Sequence, residues 1–356
     1  MPEEDTKRRA LAHGLRSRSF LILLVAALLA AAALAGLQWF VAGGHFTAIP
    51  ERLVLRIPND DYVNVSYKIA ELKRTPPPAP VVYLFGGSGA EEMVRSEGAL
   101  AGAVSTDAGA EVHVVSLAAH QESIGETLAL IDNLPRGRGL LAIGLSPNRL
   151  IGAPLSDVTQ LTGSPFALTS PHLAAVLAGR TSLKQRLPGM LTGVFDFALT
   201  YLNQRVFTKS PDLGPITYAA HYFADGPVAS LAAKESGQAI ELARERPQYE
   251  ANVAYNLAAL AAAVRLGREK GYTVTFFEQP LGPEASTPAW DAYLAHYRAD
   301  VARVGGALGV PDISVQPQAR LRNDDFADLF HLVNSGRDKW TPLFARGLAG
   351  ALPSAG

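Results

Sequence analysis

The chain has 356 residues, of which 48% are hydrophobic, and its 33 acidic residues nearly balance 32 lysines and arginines to give a net charge of −1. This composition is typical of a chain that buries a large core, and it excludes an intrinsically disordered protein. The near-zero charge gives no electrostatic basis for binding nucleic acid. The absence of cysteine excludes disulfides, thiolate metal sites and a cysteine nucleophile.

An uncharged apolar segment occupies residues 20–42 near the N-terminus. It is longer than the roughly 20 residues that a helix needs to cross a bilayer. Five lysines and arginines precede it, whereas the first charge that follows it is Glu51. The positive-inside rule therefore predicts a cytoplasmic basic tail over residues 1–19 and a transmembrane signal-anchor over 20–42. The rest of this single-pass membrane protein is then extracytoplasmic, either periplasmic or extracellular.

A cleaved signal peptide is the alternative interpretation of the same segment. The sequence Ala33-Leu34-Ala35 has small residues spaced as at a cleavage site. However, the apolar run continues beyond this point to Val41 without a polar cleavage region, which favours an uncleaved anchor. Both interpretations place the main domain outside the cytoplasm.

Apolar runs alternate with helical patterns along the rest of the chain. A juxtamembrane segment, residues 43–80, contains one helical pattern at 62–73. The predicted strands lie at residues 81–85, 111–117, 139–145, 272–277 and 310–315. The predicted helices between them lie at 89–104, 121–134, 248–270 and from Thr287 onward. Buried strands alternating with helices imply an α/β fold with a parallel sheet covered on both faces.

Residues 150 to about 245 interrupt this alternation and are expected to form a mostly helical insertion in the domain 81–356. They contain a helix start at Ser170-Pro171 and an apolar stretch at 187–207, which polar residues such as Asp196 interrupt. We expect the insertion to pack on the sheet. The alternative is an amphipathic surface that faces the membrane or a partner.

A glycine-rich turn, Gly86-Gly87-Ser88-Gly89, follows the first predicted strand. Reactive groups gather at the carboxyl ends of strands in parallel sheets. The glycines allow a sharp turn that exposes the Ser88 hydroxyl at a helix N-terminus, where backbone N–H groups stabilise developing negative charge. A plain tight turn or a phosphate-binding loop would also use these glycines, although the P-loop lysine and the G-x-G-x-x-G spacing are absent.

Near the C-terminus, Asp328 lies three residues before His331. A carboxylate at this spacing can lie beside the imidazole, fix its tautomer and stabilise its cationic form. An acid near a histidine is also common where a solvated helix starts. The neighbouring Asp324 and Asp325 are expected to act as helix caps.

Together, a serine directly after the first strand and an Asp-x-x-His near the C-terminus resemble the SGNH (GDSL-like) hydrolases from about residue 80 onward. The resemblance implies a flavodoxin-like three-layer α/β/α fold, with Ser88 as nucleophile, His331 as general base and Asp328 as orienting acid. It is nearest to an envelope-anchored branch that includes the D-alanyl transfer proteins of teichoic acid and the alginate acetylation proteins. Gly87 stands where most of the family has aspartate, as in that branch.

The resemblance also implies an oxyanion site near Ser88. Residues 117–120 read LAAH and lack the glycine that the family places after its second strand. A backbone N–H of Ala119 or His120 is expected to serve instead, together with Gly89. The family's asparagine is best matched by Asn148, although an ordinary turn would use the same sequence. No metal and no cofactor is expected.

These residues predict ester hydrolysis or O-acyl transfer through an acyl-Ser88 intermediate, on an acyl-ester, envelope glycan or lipid-linked substrate. Water as acceptor makes the protein an esterase and a sugar hydroxyl makes it an O-acyltransferase, and both stay open. The α/β-hydrolase fold is an alternative, since residues 86–90 nearly fit G-x-S-x-G. It is disfavoured because the serine follows the first strand. A further alternative is an inert SGNH-like envelope module that binds glycan or a protein partner.

Overall fold

The computed structural model describes residues 2–42, 45, 61–154, 168, 170–178, 226–282 and 287–353. The apolar stretch 187–207 and most of the predicted insertion lie outside the described residues.

The N-terminal helix α1 spans Pro2–Ala42. Its segment Ser19–Leu37 has a mean hydropathy of 2.8 and no residue of the tested window is buried against the rest of the chain. Apolar side chains such as Leu23 and Leu29 are largely exposed. By length and composition this segment can cross a membrane, as the sequence predicts, and a signal sequence has the same character.

A five-stranded sheet forms the centre of the domain, with the strands in the order β2-β1-β3-β4-β5 and every neighbouring pair parallel. This is the strand order of the flavodoxin-like doubly wound fold. The prediction of a parallel α/β sheet is confirmed. The strands are β1 (Val81–Phe85), β2 (His113–Ser116), β3 (Gly139–Leu145), β4 (Tyr272–Glu278) and β5 (Asp312–Ile313).

The strands nearest the centre match their predicted bounds best. β1 and β3 have the predicted limits, because both are continuous apolar runs buried on both faces. β5 is much shorter than predicted, since it lies at the sheet edge and pairs with β4 at two positions, Asp312 and Ile313. β2, at the opposite edge, is also shorter than its apolar run.

Nine further α-helices surround the sheet in the described part of the chain, which also contains two 3₁₀ helices, Pro147–Leu150 and Asn323–Asp325. The α-helices are α2 (Asp61–Arg74), α3 (Ser88–Glu91), α4 (Glu97–Ala108), α5 (Ile124–Asn133), α6 (Pro171–Val176), α7 (Leu231–Glu269), α8 (Pro288–Leu308), α9 (Gln316–Ala319) and α10 (Asn334–Ala351). Ser170 and Thr287 cap α6 and α8 at the predicted positions.

Two helix predictions need correction. The predicted helix 89–104 is two helices, because α3 ends after one turn and Ser96 caps a new start for α4. The helix predicted over 248–270 begins at Leu231 instead, where Ser230 caps it, and it continues through Pro247. A proline is tolerated there because tertiary packing supports the flanking turns, in which Glu245 and Tyr249 are buried.

The core consists of two apolar clusters, one on each face of the sheet. Alternate residues of β1 divide between them, with Val81, Tyr83 and Phe85 in one cluster and Val82 and Leu84 in the other. Side chains of α2, α5, α7 and α8 complete the first cluster, and those of α4 and α10 complete the second. The result is the expected three-layer α/β/α arrangement, with a crevice at the carboxyl ends of β1 and β3.

Candidate active site

The position of Ser88 follows from the strand order. The chain winds in opposite directions on either side of the β1–β3 boundary, and ligands of doubly wound sheets bind at this switch point. Ser88 is the first residue of α3 and lies three residues beyond the end of β1. The short turn after a buried central strand therefore carries the serine hydroxyl into the crevice.

The structure brings together the three residues predicted to carry the chemistry. The Ser88 Oγ lies 2.9 Å from His331 Nε2, and His331 Nδ1 lies 2.7 Å from Asp328 Oδ2. The other oxygen, Asp328 Oδ1, accepts hydrogen bonds from the backbone N–H groups of Phe330 at 2.8 Å and His331 at 2.9 Å. Each group is within hydrogen-bond distance of the next, as a proton relay from serine to histidine requires.

The electrostatics of Asp328 suit an orienting acid. Burial by itself would raise the pKa of this carboxyl, but the hydrogen bond and charge of His331 and the two backbone N–H groups outweigh it and lower the pKa. The carboxylate is therefore ionised at neutral pH and accepts a hydrogen bond from His331 Nδ1–H. This tautomer leaves Nε2 able to accept the Ser88 proton.

A network of hydrogen bonds fixes the loop that carries Asp328 and His331. Ala327 N–H donates to the His331 carbonyl at 2.8 Å, which closes a tight turn around the pair. Asp325 accepts from Arg322 N and so caps the short 3₁₀ helix Asn323–Asp325, which is the capping role predicted for it. It also accepts from Ser335 Oγ and Lys339 Nζ, which join the loop to α10. On the other side, the buried Lys234 of α7 donates to the carbonyls of Asn323 and Phe326.

In the glycine-rich turn, position 86 has no room for a side chain, whereas position 87 does. A Cβ on Gly86 would lie 2.3 Å from Ala90 Cβ, whereas a Cβ on Gly87 would find its nearest neighbour, Arg149 Cδ, at 3.9 Å. Gly87 also has an extended backbone with φ of −76° that any residue adopts. The close approach of α3 to the end of β1 thus depends on Gly86.

We therefore expect Gly86→Ala to destabilise the fold by about 2 kcal/mol, because overpacking of this kind forces the backbone to shift. Gly87→Ala is the matched control and should change stability by less than about 0.5 kcal/mol. Chemical denaturation of both variants measures the difference. Equal stabilities of the two variants would contradict the assigned role of Gly86.

Of the residues predicted to form the oxyanion site, three lie next to Ser88 or line the same cleft, and one, Ala119, has its N–H paired with the backbone. Ser88 and Gly89 lie in the first turn of α3, where backbone N–H groups have no acceptor within the helix. His120 and Asn148 line the same cleft as Ser88. The prediction for Ala119 needs correction, because its N–H donates to the Gly86 carbonyl at 3.0 Å. That bond joins the loop after β2 to the end of β1 and does not face a ligand.

A buried ion pair beneath the site was not predicted from the sequence. Arg149 Nη2 lies 2.8 Å from Glu122 Oε1, and both side chains are at most 2% exposed. Arg149 also donates to the carbonyls of Gly144, Glu122 and Ser123, while Glu122 accepts from Thr127 and from Gly86 N. The pair thus connects the segments that follow β1, β2 and β3. Burial raises the pKa of Glu122 to about 7 against the opposing effect of Arg149.

Gln279 is a second residue that the sequence did not single out. It follows β4, is 3% exposed, and its carboxamide packs against the glycine-rich turn. A Cβ on Gly89 would lie 2.7 Å from Gln279 Oε1, so Gly89 makes room for this side chain. No local motif marks Gln279, whose position depends on the neighbouring β3 and β4.

A cleft of about 630 Å³ opens over these residues. Its volume is within the roughly 300–1,000 Å³ typical of small-molecule sites. Ser88, Asp328 and His331 contribute to its lining. The N-terminal half of α7 contributes one wall, so the helix that begins earlier than predicted also shapes the site.

No protein-family model matches the sequence, and no curated protein matches it. Among solved structures, the chain is similar to the crystal structure of an extracellular lipase from Streptomyces rimosus. The similarity covers 77% of this chain and 100% of the lipase, at a TM-score of 0.36 and 10% sequence identity. At this distance the comparison assigns neither an activity nor a substrate to the chain.

Proposed function

We propose that the chain is a serine-dependent ester hydrolase or O-acyltransferase of the SGNH type. One observation carries this proposal: Ser88 Oγ lies 2.9 Å from His331 Nε2, whose Nδ1 lies 2.7 Å from Asp328. A Ser88–His331 distance far beyond hydrogen-bond reach would have favoured the inert alternative, so the observed distance favours an enzyme.

The proposed reaction has two halves that use the same groups. Ser88 Oγ attacks the acyl carbonyl while His331 Nε2 takes the hydroxyl proton, and Asp328 stabilises the resulting imidazolium. The N–H groups at Ser88 and Gly89, with Asn148, stabilise the oxyanion. His331 then protonates the leaving alcohol. In the second half His331 activates water or a sugar hydroxyl, which releases the acyl group from Ser88.

The N-terminal helix supports an extracytoplasmic location for the domain, and this location favours substrates that occur in the cell envelope. An uncleaved anchor with a basic tail would hold the domain on the extracytoplasmic face of the membrane. Ester-bearing glycans and lipid-linked sugars of the cell envelope are the substrates within reach there. We therefore propose such an acyl ester or glycan as the substrate.

Labelling with a fluorophosphonate probe tests the nucleophile. We expect the wild-type full chain to react with the probe and Ser88→Ala not to react. Ser314→Ala is a suitable control, because this serine is exposed and does not line the cleft. Equal labelling of wild type and Ser88→Ala would refute the assignment of Ser88.

A second measurement separates hydrolysis from transfer. Acetyl-ester cleavage by the wild-type chain is followed with and without an added oligosaccharide. Acetylated oligosaccharide among the products would support O-acyl transfer, and acetate alone would support hydrolysis. Ser88→Ala should form neither product.

A further inference from the structure

Asn148 is the exposed residue of an otherwise buried turn that follows β3. The turn is the 3₁₀ helix Pro147–Leu150, and its three other residues are buried. Asn148 lines the same cleft as Ser88 and His331. The fold therefore presents one carboxamide to the cleft from a segment that is packed inside the domain.

Hydrogen bonds on both sides of Asn148 hold the backbone that carries it. The N–H of Arg149 donates to the Ser146 carbonyl at 3.1 Å and closes the turn, while its guanidinium belongs to the buried ion pair described above. Asn256 of the neighbouring helix α7 is fully buried, and its Nδ2 donates to two carbonyls within residues 150–152. A side chain on such a support keeps a fixed position relative to the cleft.

The hydroxyl of Ser146 orients the carboxamide of Asn148. Ser146 is buried and does not line the cleft, and its Oγ donates a hydrogen bond to Asn148 Oδ1. The oxygen and the NH₂ group of a carboxamide project in different directions from the same carbon. With Oδ1 turned to the buried hydroxyl, the Nδ2 donors of this exposed residue are directed away from Ser146 and toward the cleft.

We propose that Ser146 is a positioning residue that acts through Asn148, an inference that rests on the ester chemistry proposed above. Donors stabilise an oxyanion best when they are oriented before the charge develops on it. A carboxamide without the Ser146 hydrogen bond could turn its oxygen toward the oxyanion, and two negatively charged oxygens repel each other. By holding Oδ1, Ser146 keeps Nδ2 available to the oxyanion that forms on attack by Ser88.

A double-mutant cycle on the full-length chain tests this role, with kcat and KM measured for cleavage of p-nitrophenyl acetate. Asn148→Ala should lower kcat about 100-fold, as loss of one oxyanion donor does. Ser146→Ala should lower kcat about 10-fold through loss of one hydrogen bond and change KM less than about 2-fold, because the effect is confined to the transition state. In the Asn148→Ala background, Ser146→Ala should lower kcat less than about 2-fold, since no carboxamide is left to orient.

Ser116→Ala is the matched control for Ser146→Ala. Ser116 is also a buried serine at the end of a strand, β2, and it does not line the cleft. Its Oγ has no hydrogen-bond partner among the described residues. Removing this hydroxyl should therefore keep kcat within about 2-fold of the wild-type value. Urea denaturation of every variant verifies that a lower kcat does not come from unfolding.

Losses in kcat that multiply in the double variant would overturn this role, because Ser146 would then act independently of Asn148. A wild-type kcat in either single variant would overturn it too. These results would leave the proposed nucleophile and base unaffected. A wild-type chain that neither cleaves the ester nor reacts with the fluorophosphonate probe would instead refute the proposed function, and with it the role of Ser146.

Discussion

Replacing Asp328 with asparagine is expected to lower kcat for ester cleavage about 10⁴-fold, as removal of the orienting charge does in related triads. The asparagine oxygen can still accept from the N–H groups of Phe330 and His331, so the loop should keep its shape. Its amide nitrogen would face His331 Nδ1 and donate to it. His331 Nε2 would then carry the proton and could not accept one from Ser88.

Steady-state hydrolysis of an acetyl ester measures this loss. Asp324→Asn is the matched control, because Asp324 is an exposed aspartate in the same loop. It should retain activity within about 2-fold, as expected for a surface substitution. A drop in Asp328→Asn of less than about 10-fold would show that the carboxylate does not orient His331.

Replacing Arg149 with methionine is expected to destabilise the fold by about 3–5 kcal/mol, because it leaves the Glu122 charge buried without a partner. Glu122 is 0% exposed and already has a pKa raised to about 7 with the guanidinium in place. Loss of Arg149 removes an effect that lowers this pKa, so it should rise further. The penalty should therefore be smaller at about pH 5, where a neutral carboxyl is buried, than at about pH 8.

Urea denaturation at the two pH values measures the free energy of unfolding. Arg298→Met provides the control, since the ion pair of Arg298 with Glu278 is half-exposed and is expected to contribute less than about 1 kcal/mol. The double variant Glu122→Gln with Arg149→Met should recover part of the loss, because no unpaired charge is left buried. A single-variant penalty equal to that of Arg298→Met would contradict the assigned role of the pair.

The sequence predicted the parts of the site that depend on local chemistry. The turn at Gly86–Gly89 follows a continuous apolar run, and the spacing of Asp328 and His331 places them beside each other within one loop. These features follow from chain geometry over a few residues. Ser88 and His331 are 243 positions apart in the sequence, and the distance between Ser88 Oγ and His331 Nε2 is 2.9 Å. A family resemblance predicted this approach, and the fold shows it.

Residues whose roles depend on distant partners were not predicted. Glu122 and Arg149 are 27 positions apart, and a charged pair on separate loops has no signature in either loop. Gln279 is likewise defined by the packing of β4 beside β3. The Ala119 N–H was assigned from its place after β2, but it pairs with the Gly86 carbonyl, because the loops after β1 and β2 lie side by side.

The amino-acid sequence was sufficient to predict the apolar N-terminal helix, the alternation of buried strands and helices, and the residues proposed as nucleophile, base and orienting acid. These properties depend on composition, periodicity and short-range spacing. The folded structure was needed to show which loops meet at the ends of β1 and β3 and which buried charges hold them together. It was also needed to show that the N-terminal half of α7 forms a wall of the cleft. Contacts between distant segments depend on how the helices and strands pack, and no single segment encodes that packing.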